Sequence, residues 1–173
     1  MKTLILGGVR SGKSRLAERL AVEAGLAVTY VATATAQDEE MRQRIAAHRD
    51  RRPAAWTLIE EPMALASVLR AGADRGRCIV VDCLTLWLTN LLSEADVSRL
   101  ERERTALLDL LPALPGDLIL VGNETNMGVI PLGELSRRYC DAAGVLHQEL
   151  AAACDRVILT VAGLPQVLKG DPL

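Results

Sequence analysis

The run Gly7-Gly8-Val9-Arg10-Ser11-Gly12-Lys13-Ser14 constrains this chain more than any other stretch. It fits the pattern G-x-x-x-x-G-K-[ST] without a mismatch. Leu4-Ile5-Leu6 precedes it as a short apolar strand, and Arg15-Leu16-Ala17-Glu18-Arg19-Leu20-Ala21 follows as a strong helix former. Strand, loop and helix in that order make a phosphate loop. A phosphate chain needs several donors aimed at one small volume. Backbone N–H groups supply them where no β-carbon blocks the approach, and the following helix adds the positive end of its dipole. Lys13 is placed to reach the β- and γ-phosphates, and Ser14 to offer its hydroxyl to Mg2+. A Gly/Ser turn that fits by chance would lack these flanks. The loop points to a nucleoside triphosphate but names neither the base nor the acceptor.

Size and composition limit the rest. A chain of 173 residues is expected to form one nucleotide-binding domain, residues 1–173, with a proper core. Half the residues are hydrophobic while aromatics are 2% and Phe is absent, so the core must be Leu, Val, Ile and Ala. A net charge of −2 gives no basic surface for nucleic acid or an acidic membrane. Cys78, Cys83, Cys140 and Cys154 form no C-x-x-C and are joined by only two histidines, His48 and His147, which argues against structural zinc. Two of the cysteines sit in or beside apolar runs, as small buried residues do, and a reducing cytoplasm fits them. The three-residue apolar run at the N-terminus is too short for a signal peptide. No run approaches the roughly 18–20 residues of a membrane span.

Along the chain, strands alternate with helices. Strands are expected at Thr3–Leu6, Val28–Ala32, Trp56–Glu60, Cys78–Asp82, Leu118–Val121 and Val157–Val161. Helices are expected over Lys13–Ala24, Asp38–His48, Met63–Ala73, Leu84–Leu92, Val97–Leu111 and Leu132–Ala153. The tail, Ala162 to Leu173, reads as loop. This alternation implies an α/β fold of the phosphate-loop NTPase kind, a mostly parallel sheet with helices on both faces. Ligands then sit above the C-terminal strand ends. Four segments gather there: Gly7–Ser14, Thr33-Ala34-Thr35, Asp82 and Asn123–Gly128. Thr35 would equally serve as a cap for the next helix. The apolar run ending in Asp82 matches the second nucleotide-binding element of phosphate-loop proteins, whose carboxylate holds magnesium directly or through water.

His48 ends a helix that starts near this edge, with Arg49, Asp50, Arg51 and Arg52 behind it. A neutral imidazole is available near pH 7 and can attack phosphorus, and Arg49, Arg51 and Arg52 could neutralise phosphate charge. Against this stands a structural histidine packed on Met41 and Ile45, and residue physics alone favours that reading. His147, mid-helix, reads as structural.

Several stretches together resemble one family. They are the phosphate loop, Tyr30-Val31-Ala32-Thr33-Ala34-Thr35, Asp38-Glu39-Glu40-Met41-Arg42-Gln43-Arg44-Ile45-Ala46-Ala47-His48-Arg49, Arg52-Pro53-Ala54-Ala55-Trp56, and Asn123-Glu124-Thr125-Asn126-Met127-Gly128-Val129-Ile130-Pro131. The chain resembles, over nearly its whole length, the bifunctional adenosylcobinamide kinases / adenosylcobinamide-phosphate guanylyltransferases of cobalamin biosynthesis. The resemblance implies two reactions. A nucleoside triphosphate, GTP or alternatively ATP, phosphorylates the aminopropanol hydroxyl of adenosylcobinamide. GTP then guanylylates an enzyme histidine, and the phosphorylated cobinamide takes the GMP to give adenosylcobinamide-GDP. By resemblance the nucleophile is His48, with Lys13 also catalytic, which reverses the structural reading of His48. The implied nucleotide contacts are Gly7 to Ser14, Thr33, Ala34, Thr35, Arg49, Asp50, Arg51, Arg52, Glu60 and Asp82, with Mg2+ on Ser14 and Asp82. It also implies a cytoplasmic homo-oligomer, a trimer.

Three rivals are weighed against this. A plain phosphate-loop small-molecule kinase differs by lacking a covalent nucleotide. A GTP switch would carry N-K-x-D and D-x-x-G, whereas Asn123-Glu124-Thr125-Asn126 and Asp82-Cys83-Leu84-Thr85 carry neither. An ATP-driven assembly module would need partner surface that a chain this short has little room for.

Overall fold

The computed structural model describes residues 1–35, 39, 42–43 and 53–173. The expected helix over Asp38–His48 lies almost wholly outside these residues. Seven strands, β1 (Lys2–Gly7), β2 (Ala27–Ala32), β3 (Thr57–Glu60), β4 (Arg77–Asp82), β5 (Asp117–Asn123), β6 (Arg156–Val161) and β7 (Leu164–Lys169), form one sheet in the order β3-β2-β4-β5-β1-β6-β7. All pairings are parallel except β6 with β7. The described helices are α1 (Lys13–Glu23), α2 (Leu65–Gly72), α3 (Leu84–Leu92), α4 (Arg99–Leu110) and α5 (Glu134–Ala153).

The central strands are buried on both faces, which is why they read as unbroken apolar runs rather than alternations. Their period of two still sorts the side chains. Leu4, Leu6, Val31, Ile79, Val81, Leu118 and Leu120 meet α2 through α5 on one face, through Leu65, Leu69, Trp87, Leu107, Leu146 and Leu150. Ile5, Val28, Tyr30, Val80, Ile119 and Val121 meet Leu16, Ala17 and Ala21 of α1 on the other. Helices thus cover both faces, as the alternating pattern implies. The core is aliphatic as composition demands, with Trp87 and Tyr30 its large aromatic side chains.

Most boundaries fall within two residues of those expected. β5 continues through Gly122 and Asn123, which were expected to open a loop, because the parallel ladder persists: Leu6 pairs with Gly122 and Gly7 with Asn123. The tail needs a larger correction. Ala162 to Leu173 is not loop throughout, since it contains β7. Ala162 and Gly163 both take left-handed φ, 52° and 83°, forming a tight turn that lets Leu164 pair with Val161. Pro165 had argued against a strand, but Pro is tolerated at a sheet edge, where one side of the ladder has no partner to lose.

Candidate active site

The strand order brings the C-terminal ends of β1, β4 and β5 together, with β5 between the other two. Gly7 closes β1 and enters the phosphate loop. A β-carbon there would collide with the Thr160 carbonyl and lie 2.7 Å from Ser11 Oγ, so glycine is required by the protein's own walls. Gly8 is open, with nothing within 4 Å of such a carbon. Ser11 N donates to the Gly8 carbonyl at 3.2 Å, closing the loop turn. Among the described residues no side chain caps α1, and its first turn holds no acidic residue. Its first N–H groups and dipole are therefore left for an anion.

Lys13 is 7% exposed and its Nζ donates to the Gly8 carbonyl at 2.6 Å. Burial lowers its pKa from the usual lysine value, and the Asp82 carboxylate offsets part of that. Ser14 follows in α1 and is half-buried. Val9 and Arg10 are exposed at the loop tip, Arg10 with φ 55°.

Asp82 ends β4, on the same face as Val80 and therefore on the α1 side. Tyr30, two residues before the end of β2, donates its hydroxyl to Asp82 Oδ2 at 2.7 Å. The Tyr30 ring stacks on Trp56 with centroids 6.3 Å apart. Thr33 is fully buried. Its hydroxyl accepts from Cys83 N at 2.8 Å and donates to Cys83 O at 2.6 Å, tying the end of β2 to the end of β4. Asn90 Nδ2 adds a bond to the Thr33 carbonyl at 2.9 Å. Ala34 is half-buried and Thr35 exposed at the same edge, and Glu60 is exposed at the end of edge strand β3. Cys83 is no nucleophile here, because burial and the neighbouring Asp82 push its thiol up to about 11.

The structure thus gathers Gly7 to Ser14, Thr33, Ala34, Thr35 and Asp82 at one edge, with Glu60 at its outer strand. His48, Arg49, Asp50, Arg51 and Arg52 lie outside the described residues. Sequence reasoning missed Tyr30 as the orienter of Asp82. Within the Asn123–Gly128 segment expected at this edge it did not single out Glu124, whose backbone N donates to the Gly7 carbonyl at 2.9 Å. The signal for both is strand register, which a single sequence does not print.

A mostly parallel sheet with a phosphate loop on β1 and an aspartate closing β4 defines an enzyme of the phosphate-loop NTPase class. A solved structure of the RadB recombinase shares this fold, with TM-score 0.51 and 18% identity over 91% of this chain and 73% of that one. Residues 3–168 match the family described as cobinamide kinase / cobinamide phosphate guanyltransferase. The bifunctional adenosylcobalamin biosynthesis protein CobP of Pseudomonas aeruginosa is 66% identical over the full length of both chains. CobU of Escherichia coli, of the same description, is 36% identical over 98% of this chain and 100% of its own. The chain belongs to the cobinamide kinase / cobinamide phosphate guanyltransferase family and is a bifunctional enzyme of that kind.

Proposed function

We propose that this enzyme phosphorylates the aminopropanol hydroxyl of adenosylcobinamide and then, through a guanylyl group carried on His48, converts the product to adenosylcobinamide-GDP. The observation that carries the nucleotide half is the placement of Lys13 and Asp82 on one face of one sheet edge, over an uncapped helix terminus. The loop N–H groups and the start of α1 hold the phosphates, and Lys13 compensates charge that grows on the bridging oxygen. The donor set suits Mg2+: a serine hydroxyl and a carboxylate already oriented by Tyr30 are hard oxygen ligands. Ser14 and Asp82 would hold the ion, which supplies charge neutralisation on the triphosphate when bound.

In the second reaction a neutral imidazole nitrogen of His48 attacks the α-phosphorus of GTP, and pyrophosphate leaves with the bond pair. The cobinamide phosphate oxygen then displaces the histidine, so one difficult transfer becomes two. Arg49, Arg51 and Arg52 supply charge for the triphosphate, and Asp50, Glu60 and Thr33 to Thr35 complete its surroundings. We assign GTP to the guanylyl step and GTP or ATP to the kinase step. The reading extends to a single domain spanning 1–173, a cytoplasmic homotrimer and no nucleic-acid partner. No helix among the described residues is long and apolar enough to cross a membrane.

The test of the kinase half is transfer of label from the γ-phosphate of ATP or GTP to cobinamide. Lys13→Ala should lower kcat by about 100-fold or more while the protein stays folded by circular dichroism. Transfer at wild-type rate in that variant would remove the phosphate loop from the mechanism.

A further inference from the structure

We propose that Glu124 accepts the proton of the cobinamide hydroxyl during phosphoryl transfer, and that His147 positions its carboxylate. This rests on the kinase reading above. Because β5 lies between β1 and β4, its end opens between the phosphate loop and Asp82. Glu124 is the first residue past that end, pinned by its backbone bond to Gly7. Its side chain is 16% exposed, and among the described residues no lysine or arginine pairs with it. A carboxylate without a cationic partner, just past a strand end and bonded through its backbone to the start of the phosphate loop, suits a role that needs a base.

One carboxylate oxygen is held by a hydrogen bond and the other faces a histidine. Oε1 accepts from Asn126 N at 2.6 Å. Oε2 faces His147 Nδ1 at 3.8 Å. That imidazole is 9% exposed, and Nδ1 has no hydrogen-bond partner among the described residues. A buried ring nitrogen without a partner is costly, and the group it is aimed at is Glu124. With its proton on Nδ1 the ring donates toward Oε2. A separation of 3.8 Å is longer than a formed hydrogen bond, and such contacts tighten in the substrate complex. Gly122 makes the room, since a β-carbon there would lie 3.3 Å from His147 Nε2 and 3.2 Å from a Leu6 methyl.

The hydroxyl oxygen bonds to the γ-phosphorus, and the bond to the β–γ bridging oxygen breaks with its pair leaving on the nucleoside diphosphate. The hydroxyl proton passes to Glu124 and returns to water as product departs. Guanylylation of histidine needs no such base, because a neutral imidazole nitrogen attacks. The two activities therefore separate the role from a structural one.

The experiment uses the full chain with cobinamide and labelled GTP. In Glu124→Gln, kinase kcat should fall about 100-fold, with the nucleotide KM little moved and protein guanylylation reduced far less. Glu124→Asp should restore part of the kinase rate. His147→Gln should lower kcat rather than raise KM, and should add little in the Glu124→Gln background. An unchanged kinase kcat in Glu124→Gln overturns the assignment. So does an equal loss of kinase and guanylylation in folded protein, which is the mark of a structural residue. If the wild type phosphorylates no cobinamide, the kinase reading itself fails and this assignment with it.

Discussion

Asp82 faces the phosphate loop because of a tyrosine on another strand. A lone carboxylate at a strand end samples several rotamers, and the bond from Tyr30 selects one at the small entropic cost of a ring already packed on Trp56. Tyr30→Phe keeps the packing and removes the hydroxyl. The expected result is about tenfold weaker activation by Mg2+, with stability within about 1–2 kcal/mol of wild type. A magnesium titration of kinase activity checks it, and an unchanged midpoint would free Asp82 from Tyr30. At this scale the sequence was informative wherever chemistry follows spacing. Gly7 to Ser14 and Asp82 are read from local pattern alone, and the structure places them together. Tyr30 and Glu124 were not legible, since their roles come from neighbours about 50 and 117 residues away. Thr33 lies at the expected edge, and its hydroxyl bonds both the N–H and the carbonyl of Cys83 at the end of β4.

The element least visible in the sequence is the hairpin β6–β7, and it supports the loop most directly. Gly163 N donates to the Ser11 carbonyl at 2.9 Å, so the turn braces the phosphate loop from the side of β6. At the far end of β7, Lys169 Nζ donates to the carbonyls of Ala151, Ala152 and Cys154 at 2.9, 2.9 and 2.7 Å. Those are the open carbonyls at the C-terminus of α5, where a cation is favoured. Two prolines and two glycines in twelve residues read as loop because turn chemistry is local, whereas an edge strand is defined by its partner. Gly163 has space for a side chain but a φ of 83°. Gly163→Val should therefore destabilise by about 1–2 kcal/mol, lowering Tm by roughly 2–8 °C for a chain this size. It should also raise the nucleotide KM. Gly163→Asn, whose side chain tolerates this backbone region, should do less of both. Equal behaviour of the two variants in a melting experiment would count against conformational strain as the cause.

Across the whole molecule, one chain is asked to perform two transfers at different phosphorus atoms. The fold class followed from the alternation of strands and helices and needed no side-chain detail. The strand order did not, because the parallel crossovers that put β5 between β1 and β4 leave no mark in a linear pattern. That order is what places the end of β5, with Glu124 just past it, between the ends of β1 and β4. In the proposed mechanism a histidine, His48, carries the nucleotide from GTP to the cobinamide phosphate. Incubation of the protein with Mg2+ and GTP labelled at the α-phosphate, followed by denaturation, tests it directly. Label should be retained on the wild-type chain, lost in acid, stable in base, and absent from His48→Ala. Folded protein that binds GTP yet retains no label, or a His48→Ala variant labelled like the wild type, would contradict it; the first of these would leave a phosphate-loop kinase in its place.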